Sequence, residues 1–196
     1  EASTTADRAE TTSAFAEDTP MTTACLDEFR APANSLAHWQ MTAEMLVSAA
    51  ETLRSVAGDR REAPWGTLWP ELMLWGCAIE TFLKALRLKQ AIESREAERL
   101  LYRNGRLNAP TNHNLVKLAE WASFPVSSFQ KKVLQELTKA VRYGGRYPIP
   151  FDGELASYWW YGQESDDEVK SIIAALRSRL PKDPSVYQKR QLEDAE

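Results

Sequence analysis

From Leu36 the chain repeats one spacing. Leu36, Trp39, Ala43, Leu46, Ala50, Leu53 and Ala57 recur at alternating steps of three and four. Such steps place all seven on one side of an α-helix, and they are incompatible with the period-two alternation of a half-buried strand. Asn34 or Ser35 is placed to cap the first amides, and Gly58 to end the helix before the charged link "DRREAP".

The same period returns down the chain. A second helix is expected over Trp69–Ala91, with Pro70 in its first turn and Leu72, Trp75, Ile79, Phe82, Leu83 and Leu86 as its buried stripe. Gly76 in its middle costs about 1 kcal/mol relative to Ala, and its missing side chain admits a close neighbour. A short charged helix is expected over 93–102. "NGRLNAPTN" reads as a loop, after which Thr111 or Asn112 caps a helix reading "HNLVKLAEWA" with Leu115, Leu118 and Ala119 inward. A further helix over 127–143 turns Phe129, Val133, Leu137, Ala140 and Val141 inward. In "SDDEVKSIIAALRSRL", Ser165 and Glu168 have the spacing of a capping box, Val169, Ile172, Ile173 and Leu176 supply the apolar stripe, and Pro181 stops the helix. The fold class is therefore all-α, a bundle of five to six helices with a long loop before the last one. That loop holds Phe151, Tyr158, Trp159, Trp160 and Tyr161, and serves as a lid on the bundle, a dimer contact or a stacking surface for bases. Residues 1–30 read as a disordered or weakly ordered acidic segment, 31–180 as the bundle and 181–196 as a tail.

Charge is distributed unevenly. The net charge is −4, and residues 1–20 account for all of it. From Lys84 to Arg146 there are thirteen Lys or Arg against five Glu. This stretch forms solvated helix faces or a basic surface for an anion such as RNA or a nucleotide. Two cysteines, Cys25 and Cys77, make no disulfide framework or metal spacing. No apolar run is long enough to span a bilayer, and no apolar segment near the N-terminus resembles a secretory signal. A cytoplasmic protein without cofactors or membrane partners is expected.

Motifs for nucleotide-binding loops, serine hydrolases and zinc peptidases are missing. Cys77 reads as a packed thiol and His38 as a surface histidine. His113 opens a helix behind a loop bearing Arg103 and Arg106. A neutral imidazole there can act as a base, beside a guanidinium able to hold phosphate. It can equally fix the helix start by hydrogen bonding. Glu80 and Lys84, four apart, have the favourable order for a helix ion pair. Their apolar neighbours Ile79 and Leu83 imply partial burial, with the arginines after Val141 as candidate partners.

Three segments then stand in order: "AIETFLKALRLKQ" (78–90), "HNLVKLAEWA" (113–122) and "RYGGRYPIP" (142–150). Together they resemble the HEPN superfamily through Glu80, Leu83, Lys84, Ala85 and Leu86, through His113, Leu115 and Leu118, and through Arg146, Tyr147 and Pro148. The resemblance implies an up-and-down bundle, frequently a homodimer. It also implies RNA or nucleotide association in stress, defence or toxin–antitoxin systems, with a nucleotidyltransferase or antitoxin as possible partner. Many such proteins are metal-independent ribonucleases bearing Arg, four to six residues, then His. Here no histidine follows Arg142 or Arg146, and the formal match is Arg106 to His113, across a loop. The expected readings are a binding module whose polar cluster is Glu80, Lys84, Arg142, Arg146 and Tyr147, a ribonuclease using His113 with Arg106, Arg142 or Arg146, and a structural partner protein.

Overall fold

The computed structural model describes residues 35–57, 65–95, 108–110, 113–144 and 163–187. It is an all-α bundle, and no strand occurs among the described residues. The helices are α1 (Leu36–Ala57), α2 (Trp65–Glu93), α3 (Leu115–Trp121), α4 (Ser128–Lys139) and α5 (Gln163–Arg179). A π-helical turn, Ala140–Gly144, continues α4. No helix among the described residues is long and apolar enough to cross a membrane. The acidic segment 1–30, most of the expected helix 93–102 and the aromatic stretch 151–161 lie outside the described residues.

Helix α2 is the centre, and every other described helix packs on it. Its expected stripe is buried, and so are Ala78, Ala85, Leu88 and Ala91 on its other sides. Each large side chain removed from water here contributes roughly 1.5–3 kcal/mol. Helix α1 runs antiparallel to α2, so Trp39 near its start lies beside Lys84 late in α2. Val47 joins Leu36, Ala43 and Ala50 in the buried stripe of α1. Helix α5 also lies antiparallel to α1. Arg177, late in α5, grips both oxygens of Glu44 early in α1, with Nε to Oε1 at 2.9 Å. Asp166, early in α5, pairs with Arg54 late in α1 at 3.4 Å. The hydrogen bond donated to Glu44 holds the Arg177 guanidinium above its ordinary range despite partial burial, so this clamp carries its cation at any working pH. Both partners are largely exposed, which limits the pair to about 1 kcal/mol or less.

Several boundaries differ from the sequence reading. Helix α2 begins at Trp65, so Pro70 lies inside it and removes one backbone hydrogen bond. The apolar stripe that follows is buried enough to hold the segment helical regardless. Glu93 closes α2 and residues 94–95 form a turn, with Arg95 in the left-handed region, so no new helix starts at Glu93. The cap of α3 is Asn114, whose Oδ1 accepts from the Lys117 amide, and not Thr111 or Asn112. The buried stripe of α4 includes Leu134 and Thr138 and is centred slightly later than the sequence suggests, which leaves Phe129 on its margin and exposed. Helix α5 starts at Gln163, so Ser165 sits buried inside it and no capping box forms there. Glu168 instead accepts from Gln130 Nε2 at 2.6 Å. That same Gln130 completes a capping box with Ser127 at the start of α4. The expected tail is ordered over its first part: Pro181 O accepts from Gln40, and Tyr187 packs on the core and donates to Glu93 at 2.7 Å.

Gly76 is where α4 meets α2. A Cβ at this position would lie well inside van der Waals contact of Val141 Cγ2 and 3.1 Å from the Leu137 carbonyl oxygen. Alanine would ordinarily gain about 1 kcal/mol over glycine within a helix. Here Gly76→Ala is expected to lower stability by about 1–2 kcal/mol, because the added methyl presses on the Val141 side chain and on a backbone oxygen of the neighbouring helix. Urea denaturation measures this. Adding Val141→Ala should recover part of the loss, and a Gly76→Ala protein as stable as wild type would show that α4 shifts at little cost.

Candidate functional site

The site grows from one charge on the central helix. Glu80 lies one turn beyond Gly76, between Ile79 and Leu83, and is only 7 % exposed. A carboxylate removed from water is stable only if other groups replace its hydration. Two do so. Lys84, one turn later on α2, donates from Nζ to Oε1 at 2.6 Å. His113 approaches from the other side with Nδ1 at 2.9 Å from Oε2 and 3.2 Å from Oε1. The Lys84 ammonium also lies 5.6 Å from the centroid of the Trp39 ring, so its charge is shared between a carboxylate and an aromatic face.

His113 reaches Glu80 through an unusual backbone. It has φ of 51°, in the left-handed region, and so it cannot be the first helical residue. Asn114 then caps α3, and the buried Leu115 begins it. A left-handed corner before a cap turns the imidazole back against α2. This replaces the expectation that His113 itself starts the helix.

The hydrogen-bond chemistry fixes the tautomer. An ionised carboxylate only accepts, so Nδ1 carries the hydrogen and Nε2 is the nitrogen left to exchange a proton. Among the described residues Nε2 has no hydrogen-bond partner. The His113 side chain is 43 % exposed. The arrangement is an oriented imidazole, open to solvent, backed by a buried carboxylate and flanked by an ammonium.

Of the residues singled out in the sequence, the structure brings Glu80, Lys84 and His113 together. Arg142 lies in the π-helical turn, partly buried and engaged in an interaction of its own. Arg106, Arg146 and Tyr147 lie outside the described residues. His38 is exposed, and Cys77 is only partly buried. Sequence alone marks neither Trp39 as a contributor to the site nor Thr138 as a support beside it. Its spacing marks Trp39 only as an apolar stripe residue. Thr138 had a legible signal, being a hydroxyl within the apolar stripe of α4. Among the described residues no cluster of three or more His, Cys, Asp or Glu side chains is placed to hold a metal ion. Comparison with family models, with curated proteins and with solved structures returns no match.

Removing Glu80 should be costly, because Lys84 and His113 lose their common acceptor. Glu80→Ala is expected to lower stability by about 3 kcal/mol, and His113→Ala by about 1.5 kcal/mol, the worth of a hydrogen bond to a charged group. The double variant should cost less than the sum of the two. Chemical denaturation of the three proteins checks this. Strict additivity would mean that the two side chains do not interact in solution.

Proposed function

We propose that this chain is a HEPN-like, dimeric binding module for RNA or a nucleotide, acting in the cytoplasm of a stress, defence or toxin–antitoxin system. The supporting observation is the hydrogen bond from His113 Nδ1 to Glu80. It joins two of the three segments that carry the HEPN resemblance, and it leaves Nε2 without a hydrogen-bond partner among the described residues, with Lys84 on the same carboxylate. Once protonated, Nε2 can donate to a phosphate oxygen, and Trp39, against which Lys84 packs, adds an apolar wall.

A second reading has its own support. Orientation of an imidazole through Nδ1 by a carboxylate is what general acid–base chemistry requires. In a metal-independent ribonuclease, Nε2 would take the proton of a ribose 2′-hydroxyl as that oxygen attacks phosphorus. The bond to the 5′-oxygen would break, leaving a 2′,3′-cyclic phosphate, and the departing oxygen would take up a proton. Arg106, Arg142 or Arg146 would stabilise the charge on the phosphorane.

One experiment separates the readings. A labelled single-stranded RNA is titrated with the protein by fluorescence anisotropy, with ATP as a parallel ligand, and the RNA is then run on a gel after incubation with EDTA. Salt-sensitive binding without cleavage, weakened about tenfold by His113→Ala (about 1.4 kcal/mol) and unaffected by His38→Ala, supports the binding module. Cleavage lost in His113→Ala supports the ribonuclease. Neither binding nor cleavage would leave a structural partner protein and sink both readings.

The dimer has separate support on the outer face of α1. Met41, Met45 and Val56 are 55 %, 65 % and 77 % exposed there. Between them the hydroxyls of Thr52 and Ser55 are already spent on carbonyls of their own helix, each at 2.8 Å. A second copy can cover such a face through these apolar side chains, with those two hydroxyls already satisfied. Sedimentation velocity should show a dimer that Met45→Glu converts to monomer. A monomeric wild-type protein at tens of micromolar, a concentration where contacts worth roughly 7 kcal/mol are populated, would remove the dimer from the proposal.

A further inference from the structure

We infer that Thr138, on α4 and outside the candidate site, is the positioning residue that holds His113 in its working orientation. The inference rests on the reading of His113 as the group that meets the ligand, and it adds the element that keeps it there. Leu115 is the first residue of α3 and is fully buried. The first amides of a helix have no partner within it, and a buried one must find a partner elsewhere. The cap Asn114 serves the amide of Lys117. The amide of Leu115 donates instead to Thr138 Oγ1 at 3.1 Å.

The Thr138 hydroxyl is committed as well. It donates its hydrogen to the Leu134 carbonyl at 2.7 Å. A hydroxyl has one hydrogen, so the lone pairs that remain are turned toward Leu115. The side chain is buried, which leaves little room for water to replace it. Thr138 is therefore a cap for α3 supplied from another helix.

Two residues before Leu115, His113 holds the left-handed conformation that a side chain with a Cβ resists. That strain persists only while its surroundings over-determine it. Three ties do so: Glu80 on the imidazole, Asn114 as the local cap, and Thr138 on the Leu115 amide. The third links the corner to α4, whose position is fixed by the close approach of Leu137 and Val141 to Gly76. Without the Thr138 hydroxyl the Leu115 amide is left buried and unpaired. Its relief is a backbone rotation across 113–115 toward water, which also relieves His113 and draws the imidazole away from Glu80.

The test uses the two histidines of this chain, His113 and the exposed His38 as internal reference. Long-range proton–nitrogen NMR of the full-length protein reads which ring nitrogen carries the hydrogen. In wild type and Thr138→Ser, His113 should show the Nδ1–H form. In Thr138→Val, close in shape but without the acceptor, His113 should shift to a mixture rich in the Nε2–H form, with His38 unchanged and helical circular dichroism retained. A folded Thr138→Val protein with an unaltered His113 pattern would overturn the inference. Should the valine variant not fold, hydrogen exchange of the wild-type protein decides. Protection of the Leu115 amide at least tenfold above that of Val116, the next amide of the first turn, supports the tie, and exchange of Leu115 as fast as Val116 refutes it. These readouts need no ligand. A shifted tautomer with unchanged RNA affinity would uphold Thr138 as the positioning residue while counting against His113 as the ligand-binding group.

Discussion

Helix α2 is covered by neighbours on nearly every side, and most of what distinguishes this molecule follows from that. A helix with one wet face can turn its charged residues outward. Much of the middle of α2 has no such face, since Ala78, Ile79, Phe82, Leu83, Ala85, Leu86 and Leu88 are all buried. An ionisable side chain in this stretch must be met by a group on another element or on the next turn. Glu71, 1 % exposed, accepts from the indole of Trp75. Glu80 accepts from Lys84 and His113. The candidate site is thus a solution to the burial of a carboxylate, reached with groups that retain chemical capacity.

Energetics and geometry are coupled through the same residues. The pair formed by Glu80 and Lys84 would be worth a few tenths of a kcal/mol on an exposed helix. At a buried position the balance differs, because an unpaired partner costs several times that amount. His113 is held by this requirement on one side and by its own strained corner on the other. The corner, in turn, is tied to α4 by Thr138, and the far end of α3 is tied to α2 by Gln90, whose amide reaches the Ala122 carbonyl. Helix α3 has only seven residues and would be marginal alone. Fastened at both ends, it becomes a rigid mount for the imidazole.

The helical periodicities, the buried stripes of α2 and α5, the close approach at Gly76 and the stop at Pro181 were all legible in the chain. So was the partial burial of Glu80 and Lys84. The helix starts were less so. Ser165 and Glu168 have the capping spacing, yet Glu168 is drawn to Gln130, and the capping box forms at Ser127. Both serines precede a residue able to complete the motif, and local spacing does not say which side chain will have a tertiary competitor. Pro70 misled for a similar reason: its preference for a first turn is weak beside the burial of the helix that contains it.

Sequence by itself determined that this chain folds as amphipathic helices, because a repeat of apolar residues at steps of three and four leaves one side of each helix in need of cover. It also determined that Glu80 and Lys84 would meet, since four residues in a helix make one turn. Only the tertiary structure decided that α2 is the helix enclosed by the others, that His113 turns through a left-handed corner onto Glu80, and that Thr138 caps a helix to which it does not belong. Those outcomes depend on which buried polar groups are left without partners once the helices pack, and that is a property of the assembled core.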